Sequence, residues 1–362
     1  MNDNASDAGQ LDRITGLVLG TAVGDALGLP AEGMTRGRIR KLFGETWSHH
    51  FLARRGMLSD DTEHTLFVCQ ALLAASGDPA AFQRLLARKL RWWLLGLPAG
   101  IGLATLRAIL KLWCGFSPDG SGVFSAGNGA AMRSAPIGAY FAGDAEKIKT
   151  FTIAATRLTH TDPRALTGAL AIALLAGRAC SLAATNPPPH AEILDILKSL
   201  SVSDDEEWPL LLQHLEKAIN DDLTVSEFAA GLGLEKGVSG YVYHTVPVAI
   251  FAWLRHFGDF RLTLESVLSC GGDTDTIGAI AGALSGSTVG KSGIPEEWLE
   301  GIIDWPRSTT VLAETAARLD RKKNHGEQAG PAPYFWPALL PRNILFLAVV
   351  LAHGFRRLLP PY

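Results

Sequence analysis

Apolar residues along this chain recur mostly at three- and four-residue spacings, and few runs alternate with a period of two. That pattern predicts helices throughout and very little strand. The first periodic stretch covers residues 11–29 and stops at Pro30. Within it Gly16, Gly20, Gly24 and Gly28 stand at every fourth position, which makes a smooth ridge on one helix face where another backbone can come close. Each glycine costs a helix roughly 1 kcal/mol relative to alanine, so the ridge calls for a packing or functional reason. Ser59 reads as the N-cap of a helix running to residue 75, with Asp60 and Asp61 in its first turn. Further helices are expected over 80–95, 103–112, 130–141, 145–158 and 163–180, the last rich in Ala, Leu and Gly and central. Beyond the proline break at 187–189 the pattern predicts helices over 205–219, 225–230, 241–256, 262–268, 276–284 and 295–319. Residues 34–56 read as basic and irregular, 115–129 as an ordered loop, and 204–207 as a charge run, either a solvated loop or a helix start.

The convincing boundary is the polar run 321–326, followed by a proline- and aromatic-rich tail. The expectation is therefore a flexible N-terminus over 1–10, one compact all-α domain over 11–320, and a C-terminal extension over 321–362. The length of 362 residues, with 47% hydrophobic and 19% charged residues, suits a well-buried globular chain. A net charge of -3 gives no general pull toward nucleic acid or anionic membrane. The four cysteines are scattered without CxxC pairing, which argues against a zinc site or a disulfide framework and fits a cytoplasmic setting. The N-terminus is polar and carries no secretory signal. The late apolar run 344–352 is nine residues long, where a membrane span needs about 20, so it reads as a packing helix or a surface-docked tail.

The candidate chemistry begins at Gly271-Gly272-Asp273-Thr274-Asp275-Thr276. Two carboxylates two positions apart point the same way in extended backbone, and Thr276 adds a further oxygen. Such donors suit a hard divalent cation, Mg2+ or Mn2+. One cluster does not fill a coordination shell, and Ser59-Asp60-Asp61-Thr62 offers a second. Taken alone, acids in a first helical turn are ordinary dipole partners; the two sets converging would repel one another, and one or two bound cations would remove that repulsion. An EF-hand is excluded, because Ile277 and Leu284 fall where that loop needs ligands.

Ser125-Ala126-Gly127-Asn128-Gly129 through Met132 and Arg133 is the second candidate. Its small residues let a ligand approach the backbone, and its amides suit a diphosphate; a plain helix N-terminal turn is the alternative reading. No P-loop lysine motif and no strand-linked GxGxxG accompany it. Glu32 is either a loop acid or a carboxylate at a cleft mouth. His160 is either a packed cap or a donor to phosphate or ribose. Tyr241, Tyr243 and Phe124 have the chemistry to stack on a base, and equally to pack a core.

Together these segments resemble the ADP-ribosylglycohydrolase family. Gly20-Thr21-Ala22-Val23-Gly24-Asp25-Ala26-Leu27-Gly28 with Glu32 resembles its opening motif, Ser59-Asp60-Asp61-Thr62 its first metal motif, Gly127 to Arg133 its substrate loop, Leu158-Thr159-His160 its Thr-His element, and Gly272 to Thr276 its second metal motif. The resemblance implies an all-α fold, a compact orthogonal multi-helix bundle around a central cleft with a binuclear centre of two Mg2+ or Mn2+. It implies hydrolysis of the bond between ADP-ribose C1″ and an acceptor, either a protein side chain or a small-molecule ester. Carried over, Ser59, Asp60, Asp61, Asp273, Asp275 and Thr276 are the implied metal ligands, and Glu32, Asp61 and Asp275 the implied catalytic carboxylates. Ser125, Gly127, Asn128, Gly129, Met132, His160 and Tyr241 are the implied substrate contacts. Two departures stand out: Ser59 replaces the commoner threonine, and the loop 98–102 lacks an acid that serves as a base in some members. The rival readings are a catalytically silent ADP-ribose-binding module and a metal-dependent phosphohydrolase of a nucleotide diphosphate.

Overall fold

The computed structural model describes residues 3–44, 46–75, 77–201, 205–327 and 329–360. Met1, Asn2, Asp204 of the charge run, and the last two residues of the extension lie outside the described residues. The N-terminal half holds α1 (Asp3–Gly28), α2 (Arg36–Phe43), α3 (Asp60–Ala75), α4 (Pro79–Leu95), α5 (Leu103–Trp113), α6 (Ala135–Tyr140), α7 (Ala145–Arg157) and α8 (Pro163–Ala179). The C-terminal half holds α9 (His190–Lys198), α10 (Glu207–Asn220), α11 (Val225–Gly231), α12 (Val242–Arg255), α13 (Phe260–Leu268), α14 (Thr274–Val289), α15 (Glu296–Glu300), α16 (Thr309–His325) and α17 (Leu339–Arg356). Among the described residues the named strands are β1 (Met34–Thr35) and β2 (Gly271–Gly272), so the chain is all-α. Side-chain oxygens cap several starts: Asp78, Asp144, Asp162, Thr224, Asp259 and Ser308 each accept a backbone N–H of their helix.

The glycine ridge of α1 has a partner. α14 carries a second ridge, and the two close antiparallel, backbone on backbone. A Cβ on Gly16 would lie 2.3 Å from Gly286 O, on Gly20 2.2 Å from Gly282 O, on Gly24 1.9 Å from Gly278 O, and on Gly28 2.2 Å from Thr274 O. No side chain fits anywhere along this seam. It brings the C-terminal end of α1 against the N-terminal end of α14, where Thr274 Oγ1 donates to Gly28 O at 2.7 Å. Around the pair pack α3, α8, α12, α13 and α16, and nearly all of α14 is buried.

Several boundaries differ from the sequence expectation, each for a local reason. α1 begins at Asp3, eight residues before the periodic apolar pattern does. α2 is a helix inside the stretch read as irregular; its mean hydropathy is low, and Ile39 is its buried residue. The helix expected over 130–141 is a 3-10 turn, Asn128–Arg133, followed by α6 with Pro136 in its first turn. The helix expected over 295–319 is two, α15 and α16, separated around Pro306, which has no N–H to continue the ladder. Arg321, where the domain boundary is expected, lies within α16. Its basic residues reach other helix ends: Lys323 Nζ donates to Ala139 O at 2.9 Å and Lys322 Nζ to Leu73 O. The helix stops at Gly326, in the left-handed conformation with φ 67°.

The tail then folds back. Arg342 of α17 is buried and pairs with Asp304, and it also donates to Leu58 O. Asn343 Nδ2 donates to Gly96 O at 2.7 Å, and His353 Nε2 meets Phe51 O at 2.7 Å. Phe346 packs on Phe51 with ring centroids 5.1 Å apart. The nine-residue apolar run thus belongs to an 18-residue helix. Two segments of the described residues have the length and composition to cross a membrane, Leu11–Ala31 and Trp336–Arg356; the first is wholly buried and the second mostly exposed.

Candidate active site

Three helix ends meet at one cavity. α1 delivers Asp25 and, just past its end, Glu32; α3 delivers Asp60 and Asp61 from its first turn; α14 delivers Asp275 and Thr276 from its first turn. The small sheet ties the approach segments together, with Met34 opposite Gly272 and Thr35 opposite Gly271. Gly272, at φ 85°, passes so close to Val238 that a Cβ would lie 2.0 Å from Val238 O. The amide of Asp273 in turn donates to Val238 O at 2.7 Å. α3 and α14 both point their N-termini at the site, and the partial positive charge there favours acids.

The two acidic patches, remote in sequence, are in contact. Thr276 Oγ1 and Ser59 Oγ each donate to Asp61 Oδ2 at 3.2 Å. The charge of Asp273 acts on both Asp275 and Asp61. Burial, and then the neighbouring acids, hold Asp60, Asp61 and Asp275 well above the usual carboxylate range. Burial and the charge of Asp273 raise Glu32 as well. Among the described residues no three His, Cys, Asp or Glu side chains are drawn up around one point. The oxygens are turned instead onto local donors: Asp273 Oδ2 takes Asn128 Nδ2 at 2.7 Å, and Asp275 Oδ1 takes the Thr276 amide at 2.9 Å. Asp61 Oδ1 is buried with no hydrogen-bond partner. An oxygen-only donor set with an orphaned buried carboxylate oxygen fits a hard divalent cation.

The cavity beside the acids measures about 620 Å3, the size that suits a nucleotide-like ligand. Glu32, Asp60, Asp273, Asp275 and Thr276 line one side of it, and Ser125, Gly127, Asn128, Gly129, Met132 and His160 the other. The glycine loop is clamped by the segment before α12: Asn128 N donates to Gly240 O at 3.0 Å and Val242 N to Ala126 O at 2.9 Å. His160 is buried behind both glycines, with Nε2 3.4 Å from where a Cβ on Gly127 would stand. Burial pushes its imidazole down to about 3, with the Arg133 charge adding to the effect, so it is neutral at pH 7. Arg133 Nη2 donates to Thr159 Oγ1, which sits 2.8 Å from His160 Nδ1. When the threonine proton goes to Nδ1, the Nε2–H is the donor that faces the cavity.

Residues 6–328 match the sequence model of the ADP-ribosylglycohydrolase family. The chain belongs to that family. Its relatives include an uncharacterized protein of Archaeoglobus fulgidus, 33% identical over 85% of this chain and 96% of that one. The ADP-ribosyl-[dinitrogen reductase] glycohydrolase of Rhodospirillum rubrum is 28% identical over 80% of this chain and 89% of its own. Among solved structures, an ADP-ribosylglycohydrolase-related protein complex matches with TM-score 0.60 and 26% identity, covering 87% of this chain and 99% of that one. An ADP-ribosylglycohydrolase is a hydrolase of ADP-ribose conjugates, and that general class applies here.

Not every expected residue faces the ADP-ribosylglycohydrolase cleft. Ser59 and Asp61 are not among its lining residues; both Ser59 Oγ and the lining residue Thr276 donate to Asp61 Oδ2. Tyr241 is turned away: its hydroxyl donates to Glu207 at 2.6 Å and receives Arg164 Nη1 at 3.3 Å, while only its backbone pairs with Gly127. Three residues to which the sequence alone assigns no role prove important. Asp25, fully buried, receives Ser59 N at 2.9 Å, Thr62 N at 3.3 Å and the Thr62 hydroxyl, fixing the start of α3; burial raises it to about 6. Arg133, fully buried, braces the glycine loop through Gly129 O at 2.6 Å. Arg357, from the C-terminal extension, places Nη1 3.6 Å from where a Cβ on Gly33 would stand, and its charge acts on Glu32 and Asp275. Asp25 and Arg133 lie inside the quoted motifs; Arg357 carries no local signal.

Proposed function

We propose that this chain hydrolyses the glycosidic bond at ribose C1″ of an ADP-ribosylated acceptor, a protein side chain or a small-molecule ester, and that it requires two divalent cations, Mg2+ or Mn2+. The observation that carries the reading is the contact between the two acidic patches, Asp61 to Thr276, at the wall of a nucleotide-sized cavity whose other wall is the glycine loop with His160. Asp60, Asp61, Asp273, Asp275, Ser59 and Thr276 would hold the cations. Bound there, they supply charge neutralisation for the acids and Lewis-acid polarisation of coordinated oxygens.

The remaining roles fall to the chain itself. The Gly127–Gly129 loop, whose Asn128 amide is committed to Gly240 O, and the Nε2–H of His160 receive the diphosphate and ribose oxygens. Asn128 is held between Asp273 and Thr245 and fixes the loop against the acids. Glu32, whose carboxylate is raised by burial, accepts a proton from the attacking water at the cavity mouth. The bond from C1″ to the acceptor breaks as positive charge grows on the ribose, the water oxygen bonds C1″, and the proton that Glu32 takes from the water passes to the departing acceptor atom. A cytoplasmic setting is part of the same proposal.

The test is a panel of differently linked ADP-ribosylated substrates, with and without chelator. Free ADP-ribose is the expected product, lost with chelator and restored by Mg2+ or Mn2+. Near-normal turnover by Asp275→Ala or Asp60→Ala would refute the arrangement. Release of AMP would point to a phosphohydrolase, and tight ADP-ribose binding without turnover to a binding module.

A further inference from the structure

The matched family region ends at residue 328, and the C-terminal segment beyond it has a surface that the enzyme core does not explain. α17 presents two unlike faces. The inner one is fastened to the domain through Arg342, Asn343, Phe346 and His353. The outer one carries Leu340, Ile344, Leu347, Leu351 and Phe355, at spacings of four, three, four and four, which places all five on one stripe of a 3.6-residue helix. These side chains are 40% to 67% exposed. Leu358 and Leu359 continue the patch past the helix end, also exposed. A contiguous apolar stripe of this length on a folded surface marks a docking face.

Charge selects the occupant. From residue 328 to 362 the chain contains three arginines and no Asp or Glu. The element beside the end of α17 is α2, whose sequence RGRIRKLF has four cations and no acid; Arg38 Nη2 donates to Leu359 O at 3.1 Å. Arg54 stands in the turn after Phe51, against which His353 stacks. A second copy of this face would oppose basic surface with basic surface. A spanning role would strip Arg342, Asn343 and His353 from their protein partners. An apolar stripe rimmed by Lys and Arg, lying flat along a domain, is the pattern of a helix that sits in the headgroup region of an anionic bilayer.

We propose that α17 docks this protein onto anionic membrane surfaces, its outer stripe buried at the lipid interface and its basic rim on the headgroups. The overall charge of -3 conceals this local polarity. Because Arg357 ends the helix beside Gly33, the docked face and the mouth of the cavity share an edge.

Vesicle flotation of the full chain tests the proposal. Binding is expected to phosphatidylcholine vesicles containing about 30% phosphatidylglycerol and not to phosphatidylcholine alone, weakening between about 0.1 and about 0.5 M NaCl. The double variant Leu351→Glu, Phe355→Glu should lower partitioning about a hundredfold, about tenfold for each apolar side chain withdrawn from lipid. Its melting temperature should stay at the parent value. Arg54→Glu with Arg356→Glu should weaken binding and flatten its salt dependence. Absence of flotation with anionic vesicles would overturn the proposal. So would a concentration-dependent dimer in light scattering that the Leu351→Glu, Phe355→Glu variant abolishes, which would make a second copy the occupant.

Discussion

Gly24→Ala is the sharpest probe of how the fold builds the site. The added Cβ would lie 1.9 Å from Gly278 O, a backbone atom that no rotamer change can move. Reaching ordinary contact at 3.4 Å requires α1 and α14 to part by about 1.5 Å. Alanine gains about 1 kcal/mol in helix propensity, while overpacking a rigid core costs about 1–3 kcal/mol or more. With backbone on both sides the upper end applies, so the net loss should be about 2 kcal/mol, or about 3 °C in Tm. The same separation moves Asp25 and Glu32 away from Asp275. A displacement of about 1 Å at reacting groups costs about a hundredfold in rate, so turnover should fall by at least that factor in the fraction that remains folded. Gly9→Ala is the control on the same helix, with nothing within 4 Å of its Cβ; it should hold or raise stability. Calorimetry and an ADP-ribose release assay read both. A Gly24→Ala protein as stable and active as the parent would show that the seam does not set the site's dimensions.

Other expected outcomes rest on named contacts. Glu32→Gln should lower turnover about 10²–10⁴-fold while leaving ADP-ribose affinity by calorimetry within a few-fold. Arg342→Met leaves Asp304 buried without its cation and should cost about 3–5 kcal/mol in urea unfolding. A base whose folded pKa lies below its unfolded value contributes full stability above the unfolded value and loses it as pH falls. For His160 the window runs from 6.5 down to about 3, so His160→Gln should be less sensitive to acid than the parent over that range. The acids behave oppositely: Asp25, raised from 3.8 to about 6 by burial, contributes most below 3.8 and loses that contribution as pH rises through about 6. Metal-free protein should therefore gain more in Tm from added Mg2+ at pH 8 than at pH 5.

The parts of this arrangement that the sequence made readable are those with a local period or a local composition. The every-fourth glycines of α1 required a close neighbour, and both acidic patches stood out as dense oxygen donors at helix starts. The matching ridge of α14, Gly278, Gly282 and Gly286, has the same spacing, but nothing in one strip of sequence says that two such strips face each other. Asp25 looks like one more polar residue in a glycine-rich helix until Ser59 and Thr62 are seen to converge on it. Tyr241 turns its hydroxyl to Glu207 and Arg164 because side-chain direction at a helix start is set by tertiary partners rather than by any period. The tail was opaque for a related reason: an amphipathic helix after prolines declares that it will dock, and leaves the place unspecified.

The fastening of α17 gives the chain's end a mechanical role. Arg342 donates to the carbonyl of Leu58, while Asp304 takes the amide of the same residue at 2.8 Å. Leu58 directly precedes Ser59, where the first acidic patch begins. Tension, cleavage or displacement in the last thirty or so residues is therefore passed across a single peptide unit to the turn that carries Asp60 and Asp61. The terminus works as a lever whose short arm ends at the first acidic patch.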